Sequence, residues 1–269
     1  MSTEPLASGE PDRALRLLWR DRLGEPVGSR GPKQRTSVDA VVDAAIEIAD
    51  DEGIEAMSMR RVAERLGLRP MSVYTYVPGR AELIDLMVDQ VAGEQPLPEL
   101  GGSLQARLEQ VARVTWNGFL RHPWLLAIDT SRPALGPNVS DRWEWSLRAI
   151  DGLGLTDVEL DHVITLVTGY VVGPARAYVD AERLHRVSTE SDEEWWQRNA
   201  PVLDRVAEPG RYPIAARVGR AVKAHDVSGD PERAFAFGLA RVIDGIESYV
   251  AGRAAAGRAA PGVSGPAAS

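Results

Sequence analysis

The side chains best suited to chemistry lie between Ser58 and Arg80, in the run SMRRVAERLGLRPMSVYTYVPGR. It carries hydroxyls at Ser58, Ser72, Tyr74, Thr75 and Tyr76, and guanidinium groups at Arg60, Arg61, Arg65, Arg69 and Arg80 opposed only by Glu64. Covalent catalysis needs an activated nucleophile, and nothing here supplies one. The chain has no cysteine, its histidines stand apart at 122, 162, 185 and 225, and there is no G-x-S-x-G or phosphate-binding glycine loop. Hydroxyls and arginines at helix ends do suit phosphate oxygens, contacts that position a protein on nucleic acid without reading its sequence.

The elements that must hold these groups follow from the apolar spacing. Thr36 or Ser37 begins a first helix, with Thr36 as its cap and Asp39 near its positive end. Val38, Val41, Val42, Ala45, Ile46 and Ala49 form a buried stripe, and Gly53 ends the helix. Its polar face, Asp39, Asp43, Glu47 and Asp50, should point away from nucleic acid. Ser58 caps a second helix whose apolar face is Met59, Val62, Ala63 and Leu66. Gly67 supplies the positive φ of a tight turn, and Pro70 suits the first position of a third helix. Ala63, Gly67 and Val73 have the spacing of a helix-turn-helix: a small residue for close approach, a glycine for the turn, a branched anchor. Val77-Pro78-Gly79-Arg80 then breaks the chain before a longer helix, 79–92, with Leu83, Leu86, Met87 and Val91 facing inward.

The net charge of −8 argues against nucleic acid only as a total. Positive charge is concentrated around this stretch and in Arg30, Lys33 and Arg35 just before it, as a phosphate footprint requires. Residues 1–35 read as a flexible basic arm able to reach a phosphate or a narrow minor groove. Within it, Leu15, Leu18, Trp19 and Arg22 share one face of a short helix that docks on the body or on DNA, or forms only transiently in the arm. The absence of cysteine, of a long apolar run and of a leader pattern points to a cytoplasmic protein without a membrane segment.

The segment MSMRRVAERLGLRPMSVYTYVPGRAELIDLMVD, within a match running from Ser37 to Val91, resembles the DNA-binding domain of the TetR family of bacterial regulators. FLRHPWL, GYVVGPARA and AFGLARVIDGIE resemble, more loosely, its tetracycline-repressor-type regulatory domain. The resemblance implies a homodimer on a pseudo-palindromic double-stranded operator, released by a small molecule bound in the C-terminal half. By position it implies base-edge or nearby contacts from Pro70, Met71, Ser72 and Thr75, and phosphate contacts from Thr36, Ser58, Tyr74, Tyr76 and Arg80. Met59 and Arg69 complete the expected interface, with Arg30, Lys33 and Arg35 from the arm. After Arg69 the third helix has no Asn, Gln or Arg to read a base bidentately, which moves specificity onto Arg69, apolar contacts and DNA shape.

Beyond a Pro- and Gly-rich boundary at 93–102 the chain is expected to be all-α, giving a helix-turn-helix domain at 36–92, a ligand-binding and dimerisation domain at 103–252, and a disordered tail at 253–269. Helices are expected at 103–121, 138–151, 156–186 and from 231, with 208–229 irregular or briefly helical. Thr156-x-x-Glu159 and Ser191-x-x-Glu194 are capping boxes. The apolar, glycine-bearing faces of 156–186 and 231–252 suit a dimer built as a four-helix bundle. Met87, Trp116, Phe119, His122, Trp143, Tyr170, Arg176 and Tyr178 are the candidate lining of a pocket for an apolar or aromatic ligand. No cofactor is implied, and no histidine pair has metal-ligand spacing. The rival readings are a DNA-binding activator, and a helical enzyme or binding protein without DNA function.

Overall fold

The computed structural model describes residues 4–5, 11–23, 36–129, 132–206, 210–224 and 230–259. In chain order the elements are β1 (Glu4–Pro5), α1 (Pro11–Leu18), α2 (Arg20–Leu23), α3 (Val38–Glu52), a 3-10 turn (Ile54–Ala56), α4 (Met59–Arg65), α5 (Pro70–Val73), α6 (Arg80–Gly93) and α7 (Leu104–Arg121). A second 3-10 turn (Pro123–Ala127), β2 (Ile128–Asp129), α8 (Pro137–Arg148), α9 (Asp157–Val187), α10 (Asp192–Val206), α11 (Pro213–Ala224) and α12 (Pro231–Ala259) complete it. The two short strands pair in parallel, Glu4 opposite Ile128. The fold is all-α in every other respect among the described residues.

Two compact units divide the chain: Met1–Val172 with Leu239–Ser269, and Gly173–Gly238. The first is organised by α3 and α6. The α3 stripe Val41, Val42, Ala45, Ile48 and Ala49 is buried, as are Leu83, Ile84 and Met87 of α6 and Val62, Ala63, Val73 and Val77 of the segment between. Each large apolar side chain so removed from water contributes about 2 kcal/mol before chain entropy is charged against it. The local stops are built as the spacing predicts. Ser58 Oγ accepts from Arg61 N (3.3 Å). Pro70 stands in the first turn of α5, and Gly67 adopts φ +64°, the left-handed conformation that lets α4 turn sharply into the next segment. The first-helix cap is Ser37, whose Oγ accepts from Ala40 N at 3.1 Å, and not Thr36 one residue earlier.

α1 docks on the body. Ala14 and Leu18 are its buried pair and Leu18 joins the α3–α6 core, whereas Leu15 is 38% exposed. Trp19 Nε1 donates to Leu135 O (2.8 Å), and Arg20 pairs with Asp39 on α3. The apolar face is thus centred one residue earlier than the spacing suggested. In the second unit both α10 and α11 are helices, and of the two readings open for 208–229 the short helix is the one observed, over Pro213–Ala224. α12 runs on through Ala259, past the expected end at 252, because RAAAGRA is rich in alanine, the strongest helix former. Of the expected tail, 260–269 lie outside the described residues.

Candidate functional site

The segment from Arg69 to Tyr76 presents one edge to solvent. Val73 and Val77, one turn apart, are fully buried and pin it to the core. That anchoring turns the neighbouring positions outward: Met71 is 75% and Tyr74 41% exposed, and Arg69, Pro70 and Thr75 are exposed beside them. Arg69 is the N-cap residue of α5, at the end where backbone N–H groups are unsatisfied. Ser72 is half-buried on the same edge.

The other arginines of the stretch are already matched. Arg60 Nε lies 2.8 Å from Glu64, Arg61 pairs with Glu52, and Arg65 lies 2.9 Å from Glu47 and 3.7 Å from Asp51. The acids that neutralise Arg61 and Arg65 come from α3, whose polar face was expected to serve only as the side away from nucleic acid. Arg80 has a bracing role that the sequence did not suggest. It donates from Nε to Met57 O (3.1 Å) and from Nη2 to Ile54 O (2.7 Å), holding the 3-10 turn against the start of α6. Among the described residues Arg69 alone of these five makes no ion pair or side-chain hydrogen bond. Met59 is corrected: it is 6% exposed and belongs to the core, because it opens the buried stripe of α4. Tyr76 is half-buried and packs on that core, and Thr36 is half-buried at the start of α3. Arg30, Lys33 and Arg35 lie outside the described residues.

Two buried polar joints tie this reader to α7 and α8. His122, the C-cap residue of α7, is nearly inaccessible. Its Nδ1 lies 2.9 Å from Asp50 of α3 and its Nε2 2.8 Å from Glu94 just past α6, while Trp124 Nε1 donates to Asp50 at 2.8 Å. Burial pushes the imidazole pKa down, but the hydrogen bonds and charges of the two carboxylates outweigh it and the net shift is upward. The second joint is Asp89 of α6. It accepts from Val139 N (2.9 Å) and Asn138 Nδ2 (3.2 Å), capping α8 from outside that helix, and burial raises its pKa. Gly136 is required here, since a Cβ on it would lie 2.1 Å from Asp89 Oδ1. Sequence reasoning missed Asp50, Asp89 and Glu94 because each finds its partner far along the chain.

The expected ligand lining is not brought together. Met87 is buried in the reader's core under α3, and His122 is held in the joint. Trp143 is 41% exposed, because the buried side of α8 runs through Ser146 and on to Ala149 and Ile150 just past its end. Trp116 is buried and Phe119 half-buried on α7, and Tyr170 is half-buried on α9. Arg176 and Tyr178 belong to the second unit. The first unit instead carries a groove of about 430 Å³ between α9 and α12, lined by Val163, Leu166, Val242, Gly245, Ile246 and Tyr249, with Glu159, His162 and Arg241. At its rim Glu159, capped by Thr156 and hydrogen-bonded by Tyr249, has its pKa drawn down to about 2. A Cβ on Gly169 or Gly245 would meet nothing within 4 Å. Among the described residues no group of acids and histidines could hold a metal ion, and no helix is long and apolar enough to cross a membrane.

Residues 41–87 match the model for bacterial regulatory proteins of the tetR family, and residues 96–250 match that for the tetracyclin repressor-like C-terminal domain. The HTH-type transcriptional repressor DrrR1 of Streptomyces coeruleorubidus is 45% identical over 254 residues, 94% of this chain and 91% of that protein. The class D tetracycline repressor protein of Escherichia coli is 24% identical over 220 residues, 79% of this chain and 90% of that protein. Among solved structures, apo ActR from Streptomyces coelicolor superposes with a TM-score of 0.63 at 28% identity, over 84% of this chain and 100% of that one. ActR in complex with actinorhodin gives 0.63 at 28% identity, over 79% and 96%.

Proposed function

The chain belongs to the tetR family of bacterial regulatory proteins, and we propose that it is a transcriptional repressor that grips its operator as a dimer and releases it when a small molecule binds the C-terminal half. It is a ligand-responsive DNA-binding regulator, as its named relatives are regulators and repressors and ActR has been crystallised with a bound small molecule. The observation that carries the reading is the outward edge Arg69–Thr75, held by buried Val73 and Val77 on a helix-turn-helix. Residues 36–92 form the reader and 103–252 the regulatory domain. Pro70, Met71, Ser72 and Thr75 lie against base edges, and Thr36, Ser58 and Tyr74 against phosphates. Arg69 supplies the reader's uncompensated charge, and Arg30, Lys33 and Arg35 add to it. The α9–α12 groove, with its open glycines and exposed Leu166 and Tyr249, supports a dimer in which the same face of a second copy covers it. The protein works in the cytoplasm and has no catalytic role.

A gel shift with DNA flanking the protein's own gene, run at about 50 and 200 mM salt, tests the reading. A sequence-preferring band that weakens steeply with salt is expected. Absence of any such band refutes it. Sedimentation of wild type and Gly245→Trp tests the dimer, which the bulky side chain should break.

A further inference from the structure

Residues 11–23 precede the reader in sequence, yet they lie across it. α1 rests on α6. Leu18 is buried in the cluster that holds Val41, Val42 and Met87, and Leu17 and Trp19 pack on its edge. The residues that join α1 to α2 then reach two different parts of the fold. Arg20 pairs with Asp39 in the first turn of α3, and its Nη1 also donates to Leu17 O (2.9 Å), closing α1 onto the same contact. Trp19 Nε1 donates in the other direction, to Leu135 O (2.8 Å), in the segment that leads into α8. The Arg22 guanidinium lies over the Trp19 ring, 4.8 Å from its centroid. The start of α8 is thus held from two sides: Asp89 accepts from Val139 N and Asn138 Nδ2, and Trp19 donates to Leu135 O. The charge of Arg20 is felt at Asp89 as well, opposing the upward push of burial there.

We propose that residues 11–23 are an intramolecular clasp: they fasten the reader to the start of α8 and hold the arrangement that binds operator, with Trp19 and Arg20 as positioning residues. The inference rests on the operator-binding reading above and adds to it a releasable attachment outside the reader. A strap held mainly by Leu18, the Trp19 hydrogen bond and a partly exposed ion pair opens at less cost than the core it rests on. The direction of its effect follows from charge. Asp39 stands three residues after Thr36, so a phosphate at Thr36 lies within about 10 Å of it, one Debye length at roughly 0.1 M salt. Docked, the strap sets Arg20 against that acid. Lifted, it leaves Asp39 bare beside the DNA backbone. Operator and docked strap therefore favour each other, and by linkage each strengthens the other by the same factor.

The chain has no cysteine, so a single introduced thiol reports strap opening in the full-length protein. Leu18→Cys places it under the strap, Leu15→Cys on the strap's exposed side and Val42→Cys in the core beneath. Toward dithiobis(nitrobenzoate), Leu18→Cys should react about tenfold or more slowly than Leu15→Cys, and faster than Val42→Cys. Adding Trp19→Phe should speed Leu18→Cys about fivefold, the factor for one ordinary hydrogen bond, and leave Val42→Cys unchanged. DNA flanking the protein's own gene, at about 50 mM salt, should slow Leu18→Cys about threefold or more, and should lose that effect when Asp39→Asn is added. In gel shifts of the cysteine-free chain, Arg20→Gln should weaken binding about threefold, and Arg20→Gln with Asp39→Asn should restore it. Leu18→Cys reacting as fast as Leu15→Cys overturns the clasp. So does an equal loss of binding in Arg20→Gln and in the double variant, which places Arg20 itself on the phosphates. A wild type that binds no DNA overturns the regulator reading, and the clasp's role falls with it; wild-type binding with labelling unmoved by DNA sinks the clasp alone.

Discussion

Replacing His122 by asparagine removes the cation between Asp50 and Glu94 and keeps a polar side chain, so the loss of stability should depend on pH in a defined sense. Nδ1 faces Asp50 at 2.9 Å and Nε2 faces Glu94 at 2.8 Å. A carboxylate oxygen on each ring nitrogen favours the doubly protonated ring, in the same sense as the upward shift of its pKa. Breaking a buried ion pair by deleting one member typically costs about 3–5 kcal/mol. Here the His122 side chain is 6% exposed, but those of Asp50 and Glu94 are 31% and 32% exposed. Water screens them, and a loss of about 2 kcal/mol is the appropriate scale. At roughly 2–4 °C per kcal/mol for a chain of this size, the melting temperature should fall by about 4–8 °C near pH 6.

The direction with pH follows from the upward shift. The folded pKa lies above the ordinary 6.5, so the joint's contribution is complete below that value and is lost as pH rises through the folded pKa. The difference between wild type and His122→Asn should therefore be widest near pH 6 and narrow toward pH 9, measured by thermal circular dichroism in buffers of equal ionic strength. A difference that stays constant across that range refutes the imidazolium. A difference below about 1 °C near pH 6 refutes the joint as an energetic feature.

Arg69→Ala should weaken operator binding about tenfold or more, whereas Arg60→Ala and Arg65→Ala, whose charges Glu64 and Glu47 already match, should change it less than about threefold in a gel shift. Equal losses at all three positions contradict the charge assignment. Gly136→Ala forces Asp89 out of its capping position, because the new Cβ would stand 2.1 Å from Asp89 Oδ1, and should lower stability by about 2–4 kcal/mol in thermal unfolding. Arg80→Met should lose about 2 kcal/mol of stability with its two carbonyl hydrogen bonds, yet bind operator nearly normally in the cold; a weakened complex with a shallower salt dependence would return Arg80 to the phosphates.

What was legible in the sequence was local. The caps at Ser58, Thr156 and Ser191, the turn at Gly67, the proline opening α5 and the apolar stripes of α3 and α6 each follow from residues within a turn or two of one another. Charge was not legible in that way. Counting neighbours in sequence set five arginines against Glu64 alone, but Arg61 meets Glu52 nine residues away and Arg65 meets Glu47 eighteen away. The footprint therefore shrinks to Arg69 among the described residues. His122 failed as a pocket residue for the same reason: Asp50 lies 72 positions earlier, and no spacing rule connects them. Met59 failed for a different one, since the position after an N-cap can face either core or solvent, and the stripe it opens decided for the core.

The two joints bear on how a ligand signal reaches the reader. α6 begins at Arg80, braced on the turn before α4, and is followed at its C-cap by Glu94, held by His122, with Asp89 capping α8 between. Leu83 and Met87 pack the same helix into the core that also holds Val62, Ala63 and Val73, so a shift of α6 is felt by α4 and α5. A displacement of α7 or α8 consequently reaches α6 near its C-terminal end, through His122 and Glu94 or through Val139 and Asp89. Coupling between sites is typically about 1–3 kcal/mol. A hydrogen bond to a charged group contributes about 1.5–3 kcal/mol, so straining the Asp89 cap or the His122 bridge by part of one such bond is enough to supply the swing. It follows that Asp89→Ala should spare operator affinity in the absence of ligand yet reduce the ligand's effect on it, because the reader's own packing is untouched while its attachment to α8 is loosened. A variant with weakened operator binding and an unchanged ligand response would place the coupling elsewhere.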